Sequence, residues 1–241
     1  MGYFWRTVRN KNILVVLIFL LFVVFLVVLI QYLNNSSVNA HVDCSGEVGK
    51  DTCYFINSPV ILTETSVDLP LQQNGYYQLI NEVGFVDSDG VSWLAPKLTF
   101  TDGASIPEVF IPLIGERDQP SFINAAVLHD AYCGAGNERS TQYHSVPWEK
   151  VHRMFYDSLR VNGTPETKAK IMFAAVYLGG PRWDDPERSL DAVSDKILTQ
   201  EMELCIEFIE KKEPSIAQII HWMASREAKI ISESLASLDS K

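Results

Sequence analysis

The pattern of hydrophobic and polar residues sets an apolar N-terminal segment apart from the rest of the chain. Every residue from 13 to 30 is Ile, Leu, Val or Phe, and about 18 such residues suffice for a helix to cross a bilayer. Three basic residues and no acid precede this run. By the positive-inside rule we expect a single-pass signal anchor over 13–33, a cytoplasmic tail over 1–12, and a periplasmic or extracellular body.

A cleavable signal peptide is the alternative interpretation of this segment, because Val38-Asn39-Ala40 resembles a processing site. The apolar run is longer than the roughly 7–15 residues that are typical of cleaved signals, which favours an uncleaved anchor. We therefore expect the membrane to be one partner of this protein, and envelope or cell-wall material to lie within its reach.

The part of the chain after the anchor changes from polar to strand-like. Residues 34–58 are polar and predict a tether between the bilayer and the domain. From 59 to 100 the chain contains short runs that are apolar or alternate with a period of two, which is typical of strands. The sequence Asp87-Ser88-Asp89-Gly90 lies between two of these runs and predicts a hairpin turn.

Helical periodicity begins after Pro120. The cap and stop residues predict the following helices: one capped by Ser121, one over 147–160, one capped by Thr164 and ending at Gly179, and two more over about 188–212 and 215–237. Strands followed by helices predict an α+β fold, with a small antiparallel β region and then a helical bundle. We assign 59–186 to this domain and 187–241 to a C-terminal helical extension.

Charge and cysteine content narrow the class of protein. The net charge is −10 and no clustered basic face is visible, which excludes a nucleic-acid-binding protein. The four cysteines, at 44, 53, 133 and 205, have neither CxxC nor zinc-ribbon spacing. Outside the cytoplasm Cys44 and Cys53 could close a short disulfide loop. Free thiols are the alternative that the sequence leaves open.

Polar residues at the end of the β region are the first candidates for chemistry. Residues 101–107 read Thr-Asp-Gly-Ala-Ser-Ile-Pro, which predicts a tight turn where Gly103 takes a positive φ. Asp102 is a candidate catalytic or cation-binding acid, and Ser105 is a candidate supporting hydroxyl. The alternative is that both side chains only bind turn amides.

The first helix carries the second candidate, His129-Asp130-x-Tyr132. Adjacent residues on a helix diverge by about 100°, so His129 and Asp130 should serve different neighbours and not form a hydrogen-bonded dyad. Tyr132 lies three residues from His129 and should share its face, where its hydroxyl can orient a partner. The alternative for His129 is a core histidine with a satisfied hydrogen bond.

Further motifs follow these two clusters: Val151-His152-Arg153-Met154-Phe155, and Ala175-Val176-Tyr177-x-Gly179-Gly180 with Trp183. In motif order and spacing the chain resembles the bacterial and phage-borne domain of unknown function 1353 over residues 75–185. The family name implies no activity. Where that family usually has Ala-Asp, this chain has Val151-His152, so His152 stands in the place of an acid. The exchange either keeps a metal ligand or marks a lost activity.

A weaker resemblance, limited to the His-Asp helix, is to the phospholipases A2 and their prokaryotic branch. In those enzymes the His activates a water and the Asp ligates calcium, which implies the same division of roles for His129 and Asp130. The disulfide framework and the calcium-loop spacing of those enzymes are missing from this sequence.

Two hypotheses about function follow from these residues. In the first, the protein is a non-catalytic envelope protein whose polar helix residues form a buried hydrogen-bond network. In the second, it is a hydrolase of lipid or cell-wall material in which His129 is the general base and His152 supports it. A divalent metal held by Asp102, Asp130 and His152 would assist that reaction.

Overall fold

The computed structural model describes part of the chain, namely residues 21–23, 44, 53–70, 75–103, 106–114 and 121–239. The chain divides into two units, 1–42 and 43–241. Residues 21–23 are helical, whereas the rest of the predicted anchor over 13–33 lies outside the described residues. Within the ranges described, no helix is long and apolar enough to cross a bilayer.

The β region of the second unit consists of short strands: β1 (Tyr54–Ile56), β2 (Val67–Asp68), β3 (Gly75–Gln78), β4 (Val83–Val86), β5 (Ser92–Ala95) and β6 (Phe100–Thr101). They form two three-stranded antiparallel sheets, in the orders β1–β4–β5 and β2–β3–β6. The predicted antiparallel β region is therefore confirmed. β1 lies within the segment 34–58 that the sequence assigned to the tether. The end of that segment is part of the sheet, since β1 pairs with β4 and the ring of Phe55 packs on that of Phe85 at 5.0 Å.

The predicted hairpin joins β4 to β5, and its turn is organised by Asp87. One carboxylate oxygen of Asp87 accepts the backbone N–H groups of Asp89 and Val91, at 3.0 and 2.9 Å. The other accepts the indole N–H of Trp93 at 2.7 Å. Gly90 takes a φ of 75°, which glycine adopts at little cost. A buried acid thus fixes both the turn and the first buried aromatic residue of β5.

The helices follow a 3₁₀ turn at Glu108–Phe110 and are α1 (Ile111–Ile114), α2 (Ile123–Cys133), α3 (Trp148–Val161), α4 (Glu166–Gly179), α5 (Asp195–Lys212) and α6 (Ile216–Asp239). The expected caps of α2 and α4 are wrong, because neither helix has a side-chain cap. The hydroxyl of Thr164 instead donates to the carbonyl of Ser121 at 2.9 Å. That bond ties the starts of α2 and α4 together.

The first helix of the C-terminal extension begins at Asp195 and not near residue 188. Pro186–Arg188 forms a separate 3₁₀ turn. The guanidinium of Arg188 donates to Glu227 and to the hydroxyl of Tyr177. These bonds hold the segment against α4 and α6, which explains why it does not continue into α5.

The core of the second unit has two parts that share α2 and α3. One part contains Val127 and Leu128 of α2 together with the sheet residues Phe85 and Trp93. The other contains Phe155 of α3 together with residues from α4, α5 and α6. Because α2 and α3 are packed on both sides, polar side chains on their shared face have no access to water and must bind each other.

Candidate functional site

Two histidines meet at the interface between α2 and α3. The Nε2 atom of His129 lies 2.9 Å from the Nδ1 atom of His152. The side chains are almost completely buried, with exposed fractions of 2% for His129 and 0% for His152. The structure thus brings together two of the residues that the sequence singled out, and it joins the helices that carry them.

Burial keeps both rings of this histidine pair uncharged. It lowers the pKa of His129 to about 3. Burial, the neighbouring His129 and the cation of Arg182 hold the pKa of His152 well below its usual range, against a smaller opposite effect of the Pro181 carbonyl. Two neutral imidazoles can share one hydrogen bond, because each has one N–H donor and one acceptor nitrogen.

The end of α4 closes tightly over His152. A Cβ atom at Gly180 would lie 3.0 Å from His152 Nε2 and would collide with the carbonyl oxygen of Val176, so this approach requires glycine. Within the described residues, His152 Nε2 has no partner of good hydrogen-bond geometry. The nearby Pro181 carbonyl favours a proton on Nε2, which makes Nδ1 the acceptor and His129 the donor in the pair.

Aromatic rings surround the histidine pair. Phe155 lies 4.9 Å from His129 between ring centroids, and Trp148 lies edge-on to His152 at 5.4 Å. Trp183 contacts the buried His152 at 6.3 Å and stacks on the exposed His144 at 4.4 Å. Its indole N–H donates to the carbonyl of Val146 at 3.0 Å, which fixes the ring in place. Trp183 therefore covers the pair on the side of His144.

Cys133 is the thiol nearest to the histidine pair. Its Sγ atom lies 3.5 Å from His129 Nε2 and 3.6 Å from His129 Nδ1. Nearly equal distances to both nitrogens place the sulfur away from the lone pair of either one. Burial and the charge of Asp130 raise the pKa of this thiol well above its usual range. A protonated thiol in this position is not an activated nucleophile.

Asp102 is half-buried in the turn after β6. The turn has the predicted conformation, since Gly103 takes a φ of 104°. In this turn the hydroxyl of Thr101 accepts the N–H of Gly103 at 3.2 Å. Ser105 lies outside the described residues, and its supporting role stays a prediction.

The other two residues of the His-Asp-x-Tyr motif face different neighbours from His129. Asp130 is buried. The hydroxyl of Tyr132 accepts the backbone N–H of Leu94 at 3.2 Å, and its ring lies edge-on to Trp93 at 5.2 Å. Tyr132 therefore fastens α2 to β5. That its hydroxyl also orients a partner of His129 stays a prediction.

Asn137 joins the two candidate clusters, although the sequence analysis did not single it out. Its side chain accepts the N–H of Phe100 and donates to the Phe100 carbonyl, both at 2.9 Å. It also donates to the backbone carbonyl of Asp130 at 2.9 Å. The end of β6, which leads into Asp102, is thereby bound to the C-terminal half of α2.

The expected metal ligands do not form a common site. In the part of the chain that the structure describes, no group of three or more His, Cys, Asp or Glu side chains is placed to hold a metal ion. Asp102, Asp130 and His152 all belong to that part. The structure therefore gives no support to a metal ion held jointly by these three side chains.

Cys44 and Cys53 form a disulfide, with their Cα atoms 5.9 Å apart. This is the pairing that the sequence left open against free thiols. Cys133 and Cys205 are free. The bond closes the chain into a loop immediately before β1.

An ionic cluster lies next to the histidine pair. Glu227 of α6 binds Arg182 at 3.0 Å and Arg188 at 2.8 Å, and Arg188 also binds Glu149 of α3 at 2.7 Å. The guanidiniums of Arg182 and Arg188 lie over the ring of Trp148, at 4.7 and 5.2 Å from its centroid. The extension is therefore bound to α3 by the exposed pair of Arg188 with Glu149 and by the contact of Arg188 with Trp148, while the buried charge lies between Glu227 and Arg182.

Helical spacing could have indicated some of the missed neighbours. Cys133 follows His129 by four residues, and Trp148 precedes His152 by four, so each pair shares a helix face. Trp183 belongs to a motif of the family resemblance, but no local signal places it, Arg182 or Glu227 beside the pair, because they approach from distant parts of the chain. Long-range contacts of this kind cannot be derived from periodicity.

These features define an α+β domain that is centred on a buried, neutral histidine pair. Residues 77–176, which are less than half of the chain, match the model of the family described as "Protein of unknown function (DUF1353)". The resemblance seen in the motifs is thereby confirmed. No solved structure matches the chain, and the weaker similarity to phospholipases A2 is not shown by any comparison.

Two curated relatives come from Sinorhizobium fredii. The chain is 43% identical to the uncharacterized protein y4iH over 102 residues, which is 42% of this chain and 39% of that protein. It is 37% identical to the uncharacterized protein y4jT over 107 residues, which is 44% of this chain and 30% of that protein. The chain thus matches less than half the length of either relative.

Proposed function

We propose that the protein is a membrane-anchored envelope protein whose domain outside the cytoplasm is non-catalytic, with the histidine pair fastening α2 to α3. The observation that carries the proposal is the 2.9 Å contact between two buried neutral rings. A general base works best when its pKa lies near the working pH. His129, with a pKa of about 3, is a poor base at neutral pH.

Two observations support the location. The uninterrupted apolar run over 13–30 has the length of a bilayer-spanning helix. The disulfide between Cys44 and Cys53 follows it, and disulfides persist in oxidising compartments outside the cytoplasm.

The role of the pair is tested by a double-mutant cycle on the full chain, with His129→Leu, His152→Leu and the double variant. We expect each single change to cost about 1–3 kcal/mol, because each leaves one buried nitrogen without its partner. The double variant should be more stable than the sum of the two losses by about 0.5–3 kcal/mol. Additive losses would contradict the proposal.

Hydrolytic activity is tested on the same proteins with lipid and peptidoglycan substrates. The proposal predicts no hydrolysis above the background rate for the unchanged chain or for His129→Ala. Hydrolysis that is present in the unchanged chain and lost in His129→Ala would establish a catalytic role for His129.

A hydrolase is the second candidate, and the bonds of Asn137 favour it. They bind the strand end before Asp102 to the helix half that carries Asp130. The hydrolase expected from the sequence used a divalent cation, although among the described residues no three His, Cys, Asp or Glu side chains are placed to hold one. Thermal unfolding with calcium, magnesium or a chelator distinguishes the candidates, because a cation that binds the folded state raises the melting temperature.

The anchor is tested by washing membranes at alkaline pH, which removes peripheral proteins. The unchanged chain should stay with the membrane, and Leu20→Arg with Val24→Arg should weaken its retention, since each arginine at the centre of a span costs about 2.5–3.5 kcal/mol. Asn35→Arg, outside the apolar run, is the matched control. Release of the unchanged chain would refute the anchor.

A further inference from the structure

Three aliphatic side chains are exposed at one corner of the β region. Leu62 and Leu79 form an antiparallel bridge, and beside it the N–H of Ile80 donates to the carbonyl of Ile61 at 2.8 Å. The N–H of Leu98 donates to the carbonyl of Leu79, also at 2.8 Å. Ile61, Ile80 and Leu98 are exposed, and we refer to these three residues as the aliphatic corner.

Leu98 occupies a position that ordinary folding rules do not explain. It stands in the turn 96–99, where the N–H of Thr99 donates to the carbonyl of Pro96 at 3.2 Å. Its φ is 72°, a conformation that turns usually reserve for Gly or Asn. Its side chain is 58% exposed. Neither the backbone conformation nor packing in the core favours leucine at this position. A leucine here therefore indicates a contact outside the domain.

We propose that the aliphatic corner rests on the outer surface of the bilayer that holds the anchor; this inference depends on the anchor proposed above. Thirteen residues, 31–43, separate the apolar run from Cys44, and that length spans at most about 50 Å. The disulfide returns the chain to Cys53, 5.9 Å away. Eight further residues, at most about 27 Å, lead to Ile61.

The surroundings of the corner suit a membrane interface. Lys97, next to Leu98, lines a groove of about 490 Å³ together with Asn57 and Asn81. A cation and two amides are groups that bind lipid headgroups, while aliphatic tips enter the upper acyl region. Glu82 also lines this groove and offsets the charge of Lys97. The attraction to the bilayer must therefore come mainly from the aliphatic side chains and not from net charge.

The test uses the full chain in vesicles of phosphatidylethanolamine and phosphatidylglycerol. A benzoylphenylalanine photo-crosslinker replaces Leu98, and in a second protein it replaces Leu204. Leu204 on α5 is the matched control, because it is an exposed leucine, at 42%, on a regular helix. We expect severalfold more lipid adduct from position 98 than from 204, because on this proposal only position 98 lies in the bilayer surface.

A second pair of proteins carries the crosslinker at Ile61. Adding Leu98→Gly, which suits the backbone of the turn, should lower the lipid yield severalfold, whereas adding Leu204→Ala should not. Equal lipid yields from 98 and 204 in vesicles that retain the chain through an alkaline wash would overturn the docking surface alone. Adducts to protein in place of lipid would also overturn it. Loss of the chain from the vesicles during the wash would overturn both this surface and the anchor.

Discussion

The histidine pair and the Arg182–Glu227 pair at the centre of the ionic cluster are both buried, and both clusters lie against Trp148. Their polar groups are nevertheless stabilised in opposite ways. The histidines stay neutral and share a hydrogen bond. Arg182 and Arg188 stay charged and surround the carboxylate of Glu227. A group that can lose its charge does so when buried, whereas a guanidinium cannot and needs an anion beside it.

The two clusters are also coupled through charge. The cation of Arg182 contributes to the low pKa of His152. Burial, and to a smaller extent the charge of Arg188, lowers the pKa of Arg182, and Glu227 opposes that effect. The ionic cluster thus helps to keep the histidine pair uncharged, and the C-terminal extension, which supplies Glu227, takes part in shaping the site.

The largest expected effect comes from removing the anion of the ionic cluster. Glu227→Gln leaves Arg182 buried without a counter-charge, and we expect a loss of about 3–5 kcal/mol in the free energy of unfolding. Urea unfolding followed by tryptophan fluorescence measures it. Glu207→Gln, in the exposed pair with Lys211, is the control and should change little. An equally small effect at Glu227 would show that the cluster does not hold α6 in place.

The histidine pair should make stability depend on pH. The pKa of His129 is about 3 in the folded protein and about 6.5 in the unfolded chain, so the unfolded chain binds more protons between these values. Stability is therefore complete above pH 6.5 and declines as the pH falls toward 3. Between pH 7 and pH 4 we expect His129 to account for a loss of about 3 kcal/mol.

Unfolding at several pH values, with His129→Phe as the comparison, isolates this contribution. The variant should lose stability at pH 7 but should show a shallower decline below pH 6.5. Parallel curves for the two proteins would mean that His129 is not held neutral.

Much of the fold was predictable because it depends on local chemistry. The hairpin at Asp87–Gly90 and the bounds of α3 and α4 follow from turn residues and helical periodicity. The caps failed because a tertiary contact used the hydroxyl of Thr164. In the site, His129 and His152 were singled out, but their contact and the role of Trp183 depend on residues far apart in sequence, which periodicity does not pair.

The family that the chain resembles usually has Asp at the position of His152. The substitution His152→Asp should therefore convert the neutral pair into an ion pair. In His152→Asp the carboxylate would stabilise a protonated His129, and we expect the pKa of His129 to rise by about one to three units from about 3. Titration of the ring signals by nuclear magnetic resonance measures the pKa. His152→Asn, which has no charge, should leave it low, and an equal rise in both variants would refute the electrostatic explanation.

The smallest effect in the comparison is expected at Arg188. Arg188→Lys keeps the charge but loses the fork that reaches Glu227 and the hydroxyl of Tyr177 together. We expect a loss of about 1 kcal/mol, the contribution of one hydrogen bond. The exposed Arg139, changed to Lys, is the control. If both changes have the same effect, the fork geometry of Arg188 contributes nothing.

The most direct test of the central claim is the protonation of the two rings in the unchanged chain. Nitrogen resonances of ¹⁵N-labelled histidine should be followed from pH 8 to pH 4.5. We predict that His129 and His152 keep the shifts of neutral imidazoles over this range, with a proton on Nε2 of each ring, while the exposed His144 titrates. A transition of either buried ring between pH 6 and pH 7 would contradict the neutral pair and would restore His129 as a competent base.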